Sequence, residues 1–221
     1  LGEAQKKQIN RQHYATKRAQ LSKTWISIKI SLDLTPVPGC KMIIRQPRCC
    51  GMISAIISQE GYSMKKALVA YFSVSGVTEK LAGKLADGTG ADLYEIQAQE
   101  PYTEADLDWQ NSRSRSSLEM KDRSSRPAIA GKVEDMAQYD VVFVGFPIWW
   151  YREPSIIDTF LEAYDFSGKQ IVPFATSGSS GMGEIGKNME ALAPGAKVDA
   201  GKRFSSGASE EELTAWASRW L

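Results

Sequence analysis

The chain has 221 residues, with 27 Lys and Arg against 26 Asp and Glu and a net charge of +1. The balance is uneven: residues 1–63 hold ten Lys and Arg against three Asp and Glu, all three cysteines and the only histidine, whereas residues 64–221 hold 17 against 23 and neither Cys nor His. This excludes a disulfide framework, a Cys/His zinc site and Cys- or His-based catalysis from the second segment. No stretch reaches the roughly eighteen consecutive apolar residues of a membrane helix.

Residues 1–63 show no sustained helical or strand period and have a proline-rich middle at Pro36, Pro38 and Pro47. Trp25, Ile26, Ile28, Ile30 and Leu32 alternate like an amphipathic strand. Ile53 to Ile57 is short, and too far from the N-terminus for an ordinary signal-peptide core. Met64-Lys65-Lys66 is a normal chain start, and the codons of Glu60-Gly61 can spell a bacterial ribosome-binding sequence six nucleotides before Met64. Residues 1–63 are therefore expected to be an irregular basic N-terminal extension that is a leader read through in frame. An authentic basic extension and a targeting segment are the alternatives. The expected functional domain is 64–221, cytoplasmic, with no nucleic-acid or membrane partner, since the only concentration of basic residues lies before it.

From Met64 onward strands and helices alternate. Ala67 to Phe72 is an apolar run of the length of a central parallel strand, and Leu81 and Leu85 share one face of the helix that follows. Strands are expected at 66–73, 91–97, 140–146, 169–176 and 196–200, and helices at 77–88, 103–109, 154–164, 183–192 and 209–221. The stretch 110–130 reads as a solvated loop with one helical turn, and Asp106, Asp108, Glu153 and Asp158 read as solvated surface. The alternation predicts an α/β fold: one doubly wound, five-stranded parallel sheet in the order 2-1-3-4-5, with helices on both faces.

Three strand ends carry chemistry. After the first, Ser73-Val74-Ser75-Gly76-Val77-Thr78 opens a helix, where unpaired amides and the helix dipole favour an anion. The loop has three hydroxyls but no Lys or Arg, so a single terminal phosphate suits it better than a nucleoside triphosphate. After the third, Pro147-Ile148-Trp149-Trp150-Tyr151 offers flat apolar surfaces, of which one or two can stack on a ring. After the fourth, Ser177-Gly178-Ser179-Ser180-Gly181 offers backbone for a ring's polar edge. The plainer readings are helix capping for the hydroxyls and core or interface packing for the aromatics. Gly181-x-Gly183-x-x-Gly186 and the neighbouring Lys187-Asn188 match dinucleotide and P-loop patterns only by accident, because the expected acid spacing and the Mg²⁺-binding hydroxyl are missing.

With these motifs in order, the chain from Met64 resembles the flavodoxin family, specifically its short-chain members. Tyr71-Phe72-Ser73-x-Ser75-Gly76-x-Thr78 is similar to that family's phosphate loop. Arg126-Pro127-Ala128-Ile129, Gly145 to Trp150, Thr159 to Glu162, Tyr164 to Lys169 and Phe174 to Gly181 extend the likeness. The resemblance implies FMN as cofactor, its phosphate on Ser73, Val74, Ser75, Gly76, Val77 and Thr78. It implies a ring bordered by Pro147, Ile148, Trp149, Trp150 and Tyr151 on one side and by Ser177, Gly178, Ser179, Ser180 and Gly181 on the other. The sequence departs from the family in having Val77 for an Asn, and Tyr151-Arg152 for a glycine and a small residue. No catalytic side chain and no metal are implied.

The expected function is electron transfer between redox partner proteins, a reductase donor and an acceptor, by a monomer or weak dimer whose acidic domain steers basic partners. Two alternatives stay open. One is an NAD(P)H-dependent FMN oxidoreductase acting on quinones or other small acceptors, with a second pocket built from the 101–130 insertion. The other is a flavin-free interaction module.

Overall fold

A computed structural model describes residues 65–221. The expectations for residues 1–63, including the Trp25 to Leu32 alternation, the cysteines and His13, lie outside the described residues. The chain order is β1 (Ala67–Tyr71), α1 (Val77–Thr89), β2 (Asp92–Glu95), β3 (Gln97–Ala98), α2 (Arg115–Lys121), β4 (Ile129–Ala130), a 3-10 turn (Met136–Gln138) and β5 (Val141–Pro147). α3 (Ser155–Glu162), β6 (Gln170–Thr176), α4 (Ile185–Leu192), β7 (Lys197–Val198), β8 (Lys202–Phe204) and α5 (Glu210–Ala217) complete it.

β1, β5 and β6 are apolar runs because both of their faces are covered. Leu68, Ala70, Val142, Val144, Phe146 and Ile171 point to one face, against Ile156, Ile157 and Phe160 of α3 and Ile185 and Met189 of α4. Val69, Tyr71, Val141, Phe143, Val172 and Phe174 point to the other, against Leu81 and Leu85 of α1 and Leu213 and Trp216 of α5. Fully burying an aliphatic or Phe side chain contributes roughly 1.5–3 kcal/mol. These alternating rows therefore set the register, since a one-residue slip would exchange the two faces.

The sheet runs β2-β1-β5-β6-β7 and every pair in it is parallel. The expected order 2-1-3-4-5 is therefore observed. Its last strand is broken: β7 pairs with Gln170 and Ile171, and β8 with Phe174 to Thr176, so both are pieces of one edge. Between them the Gly201 amide donates to Asp199 Oδ1 at 2.8 Å, and Gly201 takes φ +74. A Cβ there would lie 2.4 Å from the Pro173 carbonyl oxygen, so glycine is the residue that permits the break.

Three expectations need correction. The strand at 91–97 divides into β2 and β3, and β3 pairs antiparallel with β4. Residues 99–128 thus leave and rejoin the domain through one small ribbon, extended by the Gln99 amide donating to the Ala128 carbonyl at 2.8 Å.

The helix at 103–109 does not form. Asp106 accepts from the Thr103 amide and hydroxyl at 2.9 and 2.7 Å, and Asp108 accepts from the Gln110 amide, so short polar side chains take the local donors and leave only turns.

The supposedly solvated 110–130 stretch instead contains α2, capped by Ser114, whose hydroxyl accepts from the Ser117 amide. Ser116, Ser117, Glu119 and Met120 of that helix are buried. Among the described residues no helix is long and apolar enough to cross a membrane.

Candidate functional site

The loops after β1, β5 and β6 leave the same end of the sheet, the carboxyl end of its parallel strands, and Thr176 ties them together. Its hydroxyl lies 2.9 Å from the Thr78 hydroxyl in a buried contact. Its carbonyl accepts from the Ile148 amide at 2.8 Å. The serine-glycine loop begins at the next residue. Thr176 carries no signal of this role in the sequence, because a threonine ending a buried strand does not announce a cross-loop contact.

In the first loop Gly76 takes φ +78 and occupies the N-cap of α1, with no side chain capping the helix. The first-turn amides therefore lack a side-chain acceptor, the arrangement an anion can use. Ser73 is half-buried and its hydroxyl accepts from the Gly76 amide at 3.1 Å; Val74 and Ser75 are exposed and Val77 is half-buried. Thr78 is buried, with its hydroxyl on Thr176, and so braces the loop from behind.

In the second loop Pro147, Ile148 and Trp149 are half-buried and Trp150 and Tyr151 are exposed, Tyr151 by 78%. Trp149 and Arg152 exchange two backbone hydrogen bonds of 3.0 Å, with φ +44 at Trp150 and +66 at Tyr151. Positive φ at both central residues defines a type I′ turn, normally made by Asn-Gly. Two aromatics therefore sit in a backbone region that costs an L-residue roughly 1–3 kcal/mol. Trp149 points inward, its ring edge-on to Phe72 at 5.7 Å and to Tyr102 at 5.6 Å, while Phe72 and Tyr102 meet at 5.7 Å.

Tyr102 brings the 99–128 insertion to this end of the sheet. Its hydroxyl donates to Glu119 Oε2 at 2.6 Å, Arg115 covers its ring at 4.1 Å, and Arg115 Nε donates to Glu119 Oε1 at 2.7 Å. Burial, then the Glu119 carboxylate, push the phenol far above its ordinary range, so it remains a neutral donor. Tyr102 has no signal in the sequence, because its partner in the site, Trp149, lies 47 positions away.

In the third loop the Ser177 hydroxyl donates to the Ser180 carbonyl. Gly178, Ser179 and Gly181 are exposed and Ser180 is half-buried, and a Cβ on either glycine would meet open space. A Cβ on Gly183 would lie 3.9 Å from the Tyr151 carbonyl oxygen, so this loop approaches the aromatic turn.

Behind the turn lies a feature opposite to expectation. Glu153 and Asp158, read as solvated acids, are 1% and 2% exposed, and Arg152 between them is 5% exposed. Arg152 Nη2 binds Asp158 Oδ2, and its Nε lies 3.5 Å from Glu153 Oε1. α3 starts directly after the turn and carries Asp158 in its first turn, where it faces back toward Arg152. Burial pushes the Asp158 carboxyl up to about 7; Glu153 adds to the rise, while Arg152 and Arg126 oppose it.

The flavodoxin family profile matches residues 66–220. Among solved structures, a Bacteroides eggerthii protein with a provisional flavoprotein designation is 46% identical, over 71% of this chain and 98% of its own, with a TM-score of 0.66. A Bacteroides uniformis protein with the same designation is 45% identical, over 70% of this chain and 98% of its own, also with a TM-score of 0.66. A Lactobacillus acidophilus flavoprotein, solved in complex with FMN, is 23% identical over 70% of this chain and 99% of its own, with a TM-score of 0.54; that likeness lies in the fold. No curated protein matches the chain.

Proposed function

This chain belongs to the flavodoxin family, and from that premise we propose that it binds FMN through residues 73–78, 147–151 and 177–181 and carries electrons between redox partner proteins. The observation that carries this reading is the convergence on Thr176. An uncapped helix N-terminus, an aromatic turn and an open serine-glycine loop meet where the three strands end.

The residues present fit the cofactor. Ser73, Ser75 and the first amides of α1 would hold the phosphate, and hydrogen bonds to a charged group contribute roughly 1.5–3 kcal/mol each, enough to tolerate Val77. Trp149 and Trp150 would border the ring, and the open space beside Gly178 and Gly181 admits its polar edge. FMN would supply the redox chemistry; the chain would bind it and leave its edge open to partners.

The oxidoreductase alternative would require a second pocket from the insertion. Arg115 is instead bound to Glu119 and the Glu100 carbonyl, and Arg126 to Glu162 through two contacts of 2.7 Å. These arginines support the insertion and the end of α3, which favours the carrier. The excess of 23 acids over 17 bases in residues 64–221 suits encounters with basic partners.

The test is the absorption spectrum of the purified chain with FMN, followed by assay with NADPH and a quinone. Flavin bands near roughly 370 and 450 nm that stay with the protein, with reduction only through a reductase protein, support the carrier. Rapid NADPH oxidation without a reductase would favour the enzyme, and colourless protein that ignores FMN would favour the interaction module.

A further inference from the structure

The Arg152, Glu153 and Asp158 cluster has more charge than partners. Arg152 Nε and Nη1, Glu153 Oε2 and Asp158 Oδ1 are all buried with no hydrogen-bond partner. One guanidinium faces two buried carboxylates, so the cluster carries one uncompensated negative charge, and a single proton would balance it. Other charges reach it from each packed element. Arg126 Nη1, from the segment before β4, lies 3.8 Å from Asp158 Oδ2 and is itself held by Glu162 on α3. From α2, the Glu119 carbonyl accepts from the Ser155 hydroxyl at the start of α3, while the Glu119 carboxylate is taken by Tyr102 and Arg115.

The same Arg152 closes the aromatic turn. Its backbone makes both hydrogen bonds to Trp149, and the residues between them hold a conformation that neither Trp nor Tyr favours. A strained turn persists only where its surroundings over-determine it. The exposed side chains of Trp150 and Tyr151 add little packing, so the anchor lies at the buried end, in the side chain of Arg152.

We propose that Arg152 is the positioning residue of the aromatic turn: its buried ion pair with Asp158 holds Trp150 and Tyr151 in their left-handed conformation, and a proton taken up by the cluster releases that hold. Protonation turns the ion pair into a bond between the Arg152 cation and a neutral carboxyl, which is weaker because the attraction of opposite charges is lost, and Arg152 shifts toward the Glu153 carboxylate. The turn then relaxes, and the surface offered to the ring changes with pH. The consequence for flavin rests on the FMN reading above; the motion of the turn does not.

The test follows the backbone amide resonances of Trp149, Trp150 and Tyr151 in the flavin-free full chain from pH 5 to 9. In the wild type the three shifts are expected to titrate together in the neutral range. Asp158→Asn abolishes the transition. Should that variant fail to fold, Glu153→Gln, which removes the carboxylate that favours protonation, moves the midpoint to lower pH, and Arg126→Gln moves it higher.

Riboflavin, which lacks the phosphate and its own titration near neutrality, is then the binding probe. Its affinity is expected to rise severalfold from pH 6 to 8 in the wild type and to stay flat in Asp158→Asn. Amides that do not titrate, or that titrate equally in Asp158→Asn and Glu153→Gln, overturn the proposal. Titrating amides without any flavin binding leave the positioning role standing and overturn the FMN reading instead.

Discussion

The Thr78 and Thr176 hydroxyls, 98 positions apart in sequence, lie 2.9 Å from each other with both side chains buried. The contact joins the first turn of α1 to the end of β6, and so fixes the distance between the loop suited to a phosphate and the loops suited to a ring.

Removing that link should act on both stability and binding. Thr176→Val keeps the shape but leaves the buried Thr78 hydroxyl without its partner, which costs about 1–3 kcal/mol. Urea unfolding should show that loss, and Thr176→Ser should restore most of it. In the FMN reading, Thr176→Val also weakens FMN more than riboflavin, because the displaced element is the phosphate loop. Equal losses for the two ligands would place the effect elsewhere.

Tyr151→Gly is expected to stabilise the protein. The native φ of +66 suits glycine, and the side chain is 78% exposed, so little packing is lost. Relief of about 1–2 kcal/mol of left-handed strain, less the extra chain entropy of glycine, leaves a gain of about 1 kcal/mol in urea unfolding. Tyr151→Ala retains the strain and should show no gain. The price of the gain is a less rigid aromatic turn, read as a lower flavin affinity.

These elements differ in how far the sequence announces them. β1, β5 and β6 were legible because burial on both faces makes them continuous apolar runs, and α1 because Leu81 and Leu85 repeat at helical spacing. The hydroxyl, aromatic and glycine motifs were legible because they are contiguous. What lay hidden was created by contacts distant in sequence. α2 is a short helix stabilised by its cap and by Ser155 and Tyr102, and Tyr102 becomes a wall of the site only through Trp149. Glu153 and Asp158 look like any surface acids until Arg152 turns inward to meet them. The broken edge at Gly201 reflects a close approach to Pro173 that no local pattern encodes.

The buried Asp158 gives stability a pH dependence of definite sign. Its carboxyl titrates at about 7 in the folded protein and near 3.8 when exposed, so the folded state binds the proton more firmly between those values. That contribution is complete below about pH 4 and is lost as pH rises to about 7, with a slope of at most about 1.4 kcal/mol per pH unit. Unfolding in urea at pH 5, 6, 7 and 8 should therefore show the wild type losing stability relative to Asp158→Asn up to neutrality, and running parallel above it. A wild type that gains on the variant as pH rises would mean that Arg152, and not burial, dominates the carboxyl.

Glu79 is the charge most directly opposed to an anion at the first loop. A Cβ on Gly76 would lie 3.8 Å from Glu79 Oε2, so the carboxylate hangs beside the loop whose amides are open. In the flavin-free protein this is favourable, since an acid in the first helical turn complements the dipole by about 0.3–1 kcal/mol. A bound phosphate reverses the sign, because two negative charges then share one helix end. Glu79→Gln should accordingly lower the stability of the flavin-free protein slightly and tighten FMN by about 1 kcal/mol, roughly fivefold, at low ionic strength. The gain should vanish in 1 M salt, where the screening length falls to about 3 Å, and it should be absent for riboflavin at any salt. Fluorescence titration of both ligands at two ionic strengths separates the cases. A gain for riboflavin as well would locate Glu79 beside the ring and move the phosphate away from α1.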